Sequence, residues 1–522
     1  MILRDLISCL PKATPCGPLD VDVTSLAISS RDVVGGTLFA AIRGTQADGH
    51  NFIGDALKAG AAVIVAETAP PGNLDSAVAW LHVPDSRDAI ARLASCFEND
   101  PWRALSVAGV TGTNGKTTTT FLIHHIMKSV WHRAGLFGTI LVDDGDEVSE
   151  ATHTTPGPVE ISRLLGRIRD NGCRGVALEV SSHGIHQKRV AGVAFDVAVF
   201  TNLTQDHLDY HGTIDNYYRA KADWFEALAA DPRGKKPVAV INVDDEHGRE
   251  LAESLDGRMR VIRFGFGVHS DFRANNFRQA ARGMEFELSA RGRTFLVRSP
   301  LIGRFNVYNL LGALGAASAC GIRPREAVAA LGKAPQVPGR MENVGSSGGA
   351  TVFIDYAHTP DALENVCRTL KELDPRRLIT VFGCGGDRDK GKRPLMAAAA
   401  ARHSDACVIT SDNPRSEDPQ AIIAEIEKGM PKTGHKTIVD RAEAIEFAIM
   451  NSLAGDIILI AGKGHEATQQ FADRTIEFDD RKHASRALRE KTLEIAEKRK
   501  EAEFQKRDFP KSDFPKREFP NQ

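Results

Sequence analysis

Short apolar runs, most of them closed by glycine, serine or aspartate, alternate with longer stretches whose apolar residues recur at helical spacing. The alternation is clearest in the last third of the chain. Runs at 351–355, 378–382, 406–410, 437–439 and 457–460 predict strands, and 360–370, 394–402, 419–428 and 442–451 predict the helices between them. Regular βα alternation predicts a doubly wound, mostly parallel, Rossmann-like sheet. Further upstream the pattern predicts strands at 37–42 and 61–66 around a helix at 54–60, then strands at 104–110, 175–180, 193–200 and 237–241. A helix is expected at 216–228, a β-rich stretch over 258–298, and helices at 309–320 and 325–331.

Asp100-Pro101 and Gln336-Val337-Pro338-Gly339 interrupt these patterns as loop-like breaks. The expected architecture is therefore α/β in three domains, over residues 1–100, 101–335 and 336–487. The central domain is built on a mostly parallel sheet like that of P-loop ATPases. From 488 the pattern changes. A charged helical run over 490–503 leads into Arg507-Asp508-Phe509-Pro510-Lys511, Ser512-Asp513-Phe514-Pro515-Lys516 and Arg517-Glu518-Phe519-Pro520-Asn521, with Phe504 as a decayed earlier copy. Proline at every fifth position blocks a helix and the composition cannot build a core, so 488–522 is expected to be a disordered tail.

Composition narrows the class without naming a function. The 522 residues are 42% hydrophobic and 26% charged, with a formal net charge of −2, so nothing pulls the chain toward nucleic acid or an anionic membrane. No apolar run reaches the length of a membrane span, and the N-terminus lacks a basic region followed by a long apolar stretch. The eight cysteines have no metal-binding spacing and read as reduced thiols of a cytoplasmic protein.

The chemistry starts at 109–119, Gly109-Val110-Thr111-Gly112-Thr113-Asn114-Gly115-Lys116-Thr117-Thr118-Thr119, directly after a predicted strand. Glycines let backbone N–H groups converge on phosphate at a helix N-terminus; Lys116 reaches the β/γ-phosphates and the Thr117 hydroxyl holds Mg²⁺. The strict motif wants glycine at 110, where this chain has valine. Glu179, at the end of the 175–180 strand, can complete a Mg²⁺ shell. After the 193–200 strand come Thr201-Asn202 and then Asp206-His207-Leu208-Asp209-Tyr210-His211-Gly212, a metal or acid–base candidate. Lys221, taken alone, reads as a solvated helix lysine.

Together, 109–119, Glu179-Val180-Ser181-Ser182-His183-Gly184, the Thr201 to Gly212 stretch and Ala220-Lys221 resemble the ATP-dependent Mur ligases of peptidoglycan precursor synthesis. Valine at 110 is normal there. The resemblance implies ATP as co-substrate, bound by Gly112, Thr113, Asn114, Gly115, Lys116, Thr117 and Thr118, with Asn306, Asn309, Arg340 and Asp355. It implies two Mg²⁺ ions held by Thr117, Glu179, His207 and Lys221, the last as a carbamate. Lys116, Lys221 and His183 are the implied catalytic residues.

Four polar clusters follow strands of the last block: Asp355 to Pro360, Gly383 to Arg393, Ser411 to Arg415 and Ala461 to Glu466. Carboxyl-end loops of one sheet converge on a crevice, and two arginines there suit carboxylates while a glutamate suits an ammonium. Asp412-Asn413-Pro414-Arg415 is similar to the signature of the branch that adds meso-2,6-diaminopimelate, whose far carboxylate requires a further arginine. The branch implies Arg388, Asp412, Asn413, Pro414, Arg415, Gly462 and Glu466 as the acceptor site. It implies UDP-N-acetylmuramoyl-L-alanyl-D-glutamate as the other substrate, held by Ile28, Ser30, Thr45, Gln46, Ala47, His153, Thr154, Thr155, Ser181, Gln187 and Arg189. His153 departs from the asparagine usual at that position. A monomer is expected. Lysine-adding and folylpolyglutamate-type ligases, and a P-loop ATPase switch, are the rival readings.

Overall fold

The computed structural model describes residues 1–44, 47–231, 233–432 and 434–508. It is α/β throughout, with a separate sheet in each of the three expected blocks. The chain forms two compact units. The first spans Met1–Arg278, Gly283–Pro300 and Arg304–Pro335; the second takes Gln279–Arg282, Leu301–Gly303 and the chain from Gln336. The first two sheets share a unit because the helix Ser86–Phe97 packs against Pro158–Asp170. An Asp85–Lys188 ion pair and the Trp102 indole donating to Ser95 add to that seam.

The N-terminal sheet has five strands in the order Thr14–Cys16, Ala79–His82, Ala61–Ala66, Thr37–Ala40 and Ser25–Ala27, all parallel except the first. The central sheet has eleven. Its parallel part runs Phe272–Ala280, Arg260–Gly265, Val238–Asn242, Val197–Phe200, Ser106–Thr111, Gly175–Glu179 and Gly135–Phe137. Antiparallel pairs extend both edges: Gly283–Ala290 with Arg293–Ser299, and Leu141–Asp143 with Val148–Glu150. Ser106–Thr111 lies between two strands that come later in the chain. Connections diverge at its carboxyl end, and such a switch point is where an open α/β sheet binds ligands.

The third sheet runs Glu342–Ser347, Ala350–Asp355, Ile457–Ala461, Leu378–Phe382, Ala406–Ile409 and His435–Thr437, parallel except for the first strand. Helices Pro360–Lys371, Pro419–Glu427 and Arg441–Met450 start sharply, because Thr359, Asp418 and Asp440 accept hydrogen bonds from first-turn N–H groups.

Three differences from the sequence pattern have physical causes. The strand expected over 193–200 pairs only from Val197. Val193 N–H closes a turn onto Val190, and Val193 to Phe195 enter the core as loop. The Thr437 strand starts earlier, at His435, and ends at Thr437. The expected tail boundary at 487/488 falls inside a single helix, Asp480–Asp508. Leu488 completes the same apolar cluster as Ala484 and Ala487. The buried Lys491 Nζ donates to the carbonyls of Ile449 (2.7 Å) and Ser452 (2.5 Å). The Phe-Pro units at 509–522 lie outside the described residues. Among the described residues, no helix is long and apolar enough to cross a membrane.

Candidate active site

The glycine-rich turn leaves Ser106–Thr111 and enters the helix Lys116–Trp131. Gly112 (φ +144°) and Gly115 (φ +83°) have backbone conformations that disfavour side chains, and a Cβ on either would collide. It would lie 1.9 Å from Thr201 Oγ1 at position 112 and 2.2 Å from Asn309 Oδ1 at position 115. Val110 is inside the strand and fully buried, paired in register with Glu179 on one side and Val199 on the other. Valine at 110 is thus a strand residue, and the cradle begins at Gly112.

The next strand end supports the loop. Thr113 N–H donates to the Asn202 carbonyl and Asn114 N–H to Asn202 Oδ1, both at 2.9 Å, while Thr201 Oγ1 donates to Asn114 O at 2.7 Å. Lys116 Nζ donates to Gly112 O (3.0 Å) and Thr113 O (2.8 Å). Thr118 is buried in the first helical turn. Thr119 Oγ1 donates to Asn309 Oδ1 (3.3 Å) and Asn309 Nδ2 to Asn306 Oδ1 (2.8 Å), which brings Asn306 and Asn309 to this turn from the helix Arg304–Ala319.

Thr117 Oγ1 donates to Glu179 Oε2 at 3.0 Å. The buried Glu179 carboxylate also accepts from Thr139 N–H (2.7 Å) and Thr139 Oγ1 (3.1 Å). Lys221 corrects the reading of a solvated lysine. It is 1% exposed, its Nζ donates to Gly112 O at 3.1 Å, and the ammonium lies 4.5 Å from the centre of the Tyr217 ring. Burial, reinforced by Lys116, holds its amine well below the ordinary lysine range, with Asp206 opposing.

Around this centre lies a cluster of rings. His183 is 4.0 Å from Tyr210 and 5.0 Å from His207, centroid to centroid. His207 takes a left-handed φ of +52°. His211 pairs with Ser182 Oγ (3.0 Å), and burial together with His183 and His186 pushes it down to about 4. Residues expected on the muramoyl side adjoin the cluster. Arg189 donates to Gln187 Oε1 and to Thr155 O (2.6 Å), and Gln187 Nε2 donates to the Tyr210 hydroxyl (3.3 Å). Thr155 Oγ1 accepts from Ser181 N–H at 3.0 Å and donates to Glu179 O at 2.8 Å. Thr154 meets Thr139 at 3.1 Å, whereas His153 is exposed and bonds only its neighbour Thr152 among the described contacts. In the first sheet's loops, Ile28 is 43% exposed and Ser30 opens the short helix Ser30–Asp32. Ala47 O accepts from Gly44 N–H; Thr45 and Gln46 lie outside the described residues.

The second unit carries the other set. Asp412, Asn413, Pro414 and Arg415 follow the strand Ala406–Ile409, and Gly462 and Glu466 follow Ile457–Ala461. Asn413 Nδ2 donates to Glu466 Oε2 at 2.8 Å. Arg415, at φ +51°, donates through Nη1 to Gly386 O (2.8 Å), and Arg388 lies beside it across Gly385. Gly462 (φ +115°) leaves room for Asp412, whose Oδ2 would lie 2.7 Å from an added Cβ. Asp355 ends its strand buried, accepting from Met341 and Ala357 N–H; burial raises its carboxyl, opposed by Arg340. Arg340 stacks 4.7 Å above the Tyr356 ring.

Sequence profiles of the Mur ligases match the chain in three segments. The family catalytic domain matches 22–98, the middle domain 110–317 and the glutamate ligase domain 339–464. UDP-N-acetylmuramoyl-L-alanyl-D-glutamate–2,6-diaminopimelate ligase of Syntrophomonas wolfei is 43% identical over 94% of this chain and all of its own. The enzyme of the same name from Geobacillus kaustophilus is 44% identical over the same shares. The chain belongs to the Mur ligase family. A solved structure titled as a UDP-N-acetylmuramoyl-L-alanyl-D-glutamate–2,6-diaminopimelate ligase superposes on this Mur ligase with a TM-score of 0.69. Its identity is 33%, and the match covers 94% of this chain and 99% of that one. As a Mur ligase, the protein is an ATP-dependent, ADP-forming ligase.

Sequence reasoning missed several residues of this Mur ligase that touch the expected set. Thr139 sits on a connection too short to carry a pattern. Tyr210 and His211 are not among them, since both lie in the Asp206 to Gly212 stretch that the sequence offers as a metal or acid–base candidate. Lys463, inside the Ala461 to Glu466 cluster, and Gln469 and Arg441, outside the predicted set, support the loops that follow Ala406–Ile409 and Ile457–Ala461. Arg441 and Asp480 form a fully buried ion pair (2.7 Å), and the same guanidinium donates to Ala461 O (3.0 Å) and Ser411 O (3.4 Å).

Proposed function

We propose that the protein adds meso-2,6-diaminopimelate to the D-glutamate of UDP-N-acetylmuramoyl-L-alanyl-D-glutamate, in the cytoplasm and as a monomer. The observation that carries this reading is the Asp412-Asn413-Pro414-Arg415 loop, which places an arginine and an Asn413–Glu466 edge at one strand-end crevice. That set suits an acceptor with a carboxylate and an ammonium at its far end. The relatives that bear this activity in their names extend over nearly the whole chain.

The two unsubstitutable glycines give the phosphates their cradle, and Lys116 lies over the same turn as a counter-charge. A carboxylate oxygen of the D-glutamate side chain attacks the γ-phosphorus; the new O–P bond forms as the bond to ADP breaks, giving an acyl phosphate. The free amine of diaminopimelate then attacks the carbonyl carbon, and phosphate leaves with the C–O bonding pair. A bare carboxylate is too poor an electrophile for direct attack, so activation comes first.

The residues also fit Mg²⁺, whose preference is for hard oxygen donors. Thr117 and the buried Glu179 already meet, and Lys221 shares the Gly112 carbonyl of the same loop with Lys116. Burial weakens the hold of Lys221 on its proton, and the amine freed of it can add to CO₂: nitrogen bonds carbon, a C=O electron pair moves to oxygen, and the second proton passes to water. The resulting carbamate is an anionic oxygen donor in place of a repelling ammonium. Thr117, Glu179, His207 and carbamylated Lys221 would hold two such ions between them, which when bound would offset negative charge on the phosphates.

The test is phosphate release by the purified protein with ATP, Mg²⁺ and the UDP-linked dipeptide, adding meso-diaminopimelate or L-lysine separately. Release should rise only with diaminopimelate. Release that ignores the acceptor overturns the ligase reading, and faster release with lysine overturns the acceptor assignment.

A further inference from the structure

Two side chains expected to receive the acceptor, Asn413 and Glu466, are themselves held by a residue with no assigned role. Lys463 has a fully buried side chain, and its three ammonium donors have three acceptors. Nζ donates to Asn413 Oδ1 (3.1 Å), Glu466 Oε2 (3.1 Å) and Thr468 O (2.6 Å). Asn413 Oδ1 takes a second bond from Gln470 N–H (3.0 Å), so its amide oxygen faces two donors and its Nδ2 faces Glu466. That fixes which way the amide points.

The strand that supplies Thr468 and Gln470 forms a small hairpin, Thr468–Gln470 with Thr475–Glu477, and it grips the same loop elsewhere. Gln469 Nε2 donates to Asp412 O at 2.7 Å. Gln470 O accepts from Arg415 N–H at 3.0 Å, holding Arg415 in its left-handed conformation. One lysine thus ties the ammonium-receiving edge (Asn413 and Glu466) to the hairpin that sets the carboxylate-receiving Arg415.

We propose that Lys463 is the positioning residue of the acceptor site, locking Asn413 and Glu466 into one edge for the substrate's distal ammonium and coupling that edge to Arg415. The inference rests on the diaminopimelate reading given above. A lysine serving only the fold would contribute to stability and leave acceptor affinity alone. A positioning lysine selects the acceptor: without it, among the described residues, the Asn413 oxygen keeps only the Gln470 N–H and Glu466 keeps only Asn413 Nδ2, so the edge loses the cation that holds both at once.

The experiment compares the full-length protein with Lys463→Met, which keeps length and removes the charge, in the phosphate-release assay. The KM for diaminopimelate should rise by about 30-fold or more, the scale for losing a buried charge-assisted partner. The KM values for ATP and the UDP-linked dipeptide should stay within about 2-fold, and kcat at saturating acceptor within about 3-fold. A cycle with Asn413→Ala should be non-additive, the double variant being little worse than the worse single one. If Lys463→Met does not fold, Lys463→Gln, which keeps a donor toward Asn413 or Thr468, carries the same comparison. An unchanged acceptor KM in a responsive enzyme, or equal rises in all three KM values, overturns the inference alone. A wild-type protein indifferent to diaminopimelate overturns both readings.

Discussion

His465 shows how a single side chain ties the acceptor loops to pH. Burial, with Arg340, Arg481 and Lys463 nearby, pushes it down to about 4 from an ordinary 6.5. Between those values the unfolded chain binds the proton and the folded chain does not, so stability falls as pH falls from about 6.5 to about 4. Urea midpoints measured from pH 7.5 to 4.5 should drop less steeply for His465→Asn than for the wild type. His211, also lowered to about 4, leaves part of the slope in place. Parallel curves would remove His465 from the account. Single residues were unevenly legible in the sequence. Gly112, Lys116 and Thr117 announce themselves, because phosphate binding needs those types at that spacing. Lys221 does not: nothing local distinguishes a lysine that a helix buries under a glycine turn from one it sends into water. Lys463 and Arg441 are hidden for a related reason, since Arg441 meets Asp480 39 positions away.

At the scale of elements, the final helix decides where the second unit ends. Leu488 fills the core beneath the third sheet, and Lys491 holds the carbonyls at the end of Arg441–Met450. Ending the chain at 487 instead of 508 should destabilise it by about 4–8 kcal/mol, the sum expected for a lost core leucine and a buried charged hydrogen-bond donor. Urea denaturation of the two truncations measures the difference; equal midpoints would mean the helix merely rests on the sheet. Strands such as Leu378–Phe382 and Ala61–Ala66 were readable to the residue, because a buried parallel strand is a continuous apolar run between polar turns. The hairpin Thr468–Gln470 with Thr475–Glu477 was not. It is short and mostly exposed, so it lacks the apolar signal that periodicity detects.

For the whole molecule, the proposed function divides its labour between the two units. The phosphate loop, Glu179 and Lys221 belong to the first, and the acceptor loops belong to the second. Activation should therefore proceed without the acceptor. Oxygen-18 placed in the bridge between the β and γ phosphorus of ATP should scramble when the UDP-linked dipeptide is present and diaminopimelate is absent, read by phosphorus NMR. Scrambling without the dipeptide, or none until the acceptor is added, would contradict an acyl phosphate formed first. The α/β class and the sheet of each block were legible as alternation. The sharing of one unit by the first two sheets was not, because it depends on which faces of Ser86–Phe97 and Pro158–Asp170 meet, and an amphipathic pattern does not name its partner.

The ion pair beneath the acceptor loops has a mechanical meaning. Asp480 is the first residue of the last helix, and its partner Arg441 grips the carbonyls of Ser411 and Ala461. The helix thus has its first residue bolted, through Arg441, to the strand-end loops after Ala406–Ile409 and Ile457–Ala461. A pull on its far end would meet Leu488, seated in the core, and Lys491, held on the carbonyls of Ile449 and Ser452, before it reached the bolt. Loading that end should therefore cost the second unit stability before it disturbs Arg441 and the two carbonyls it grips.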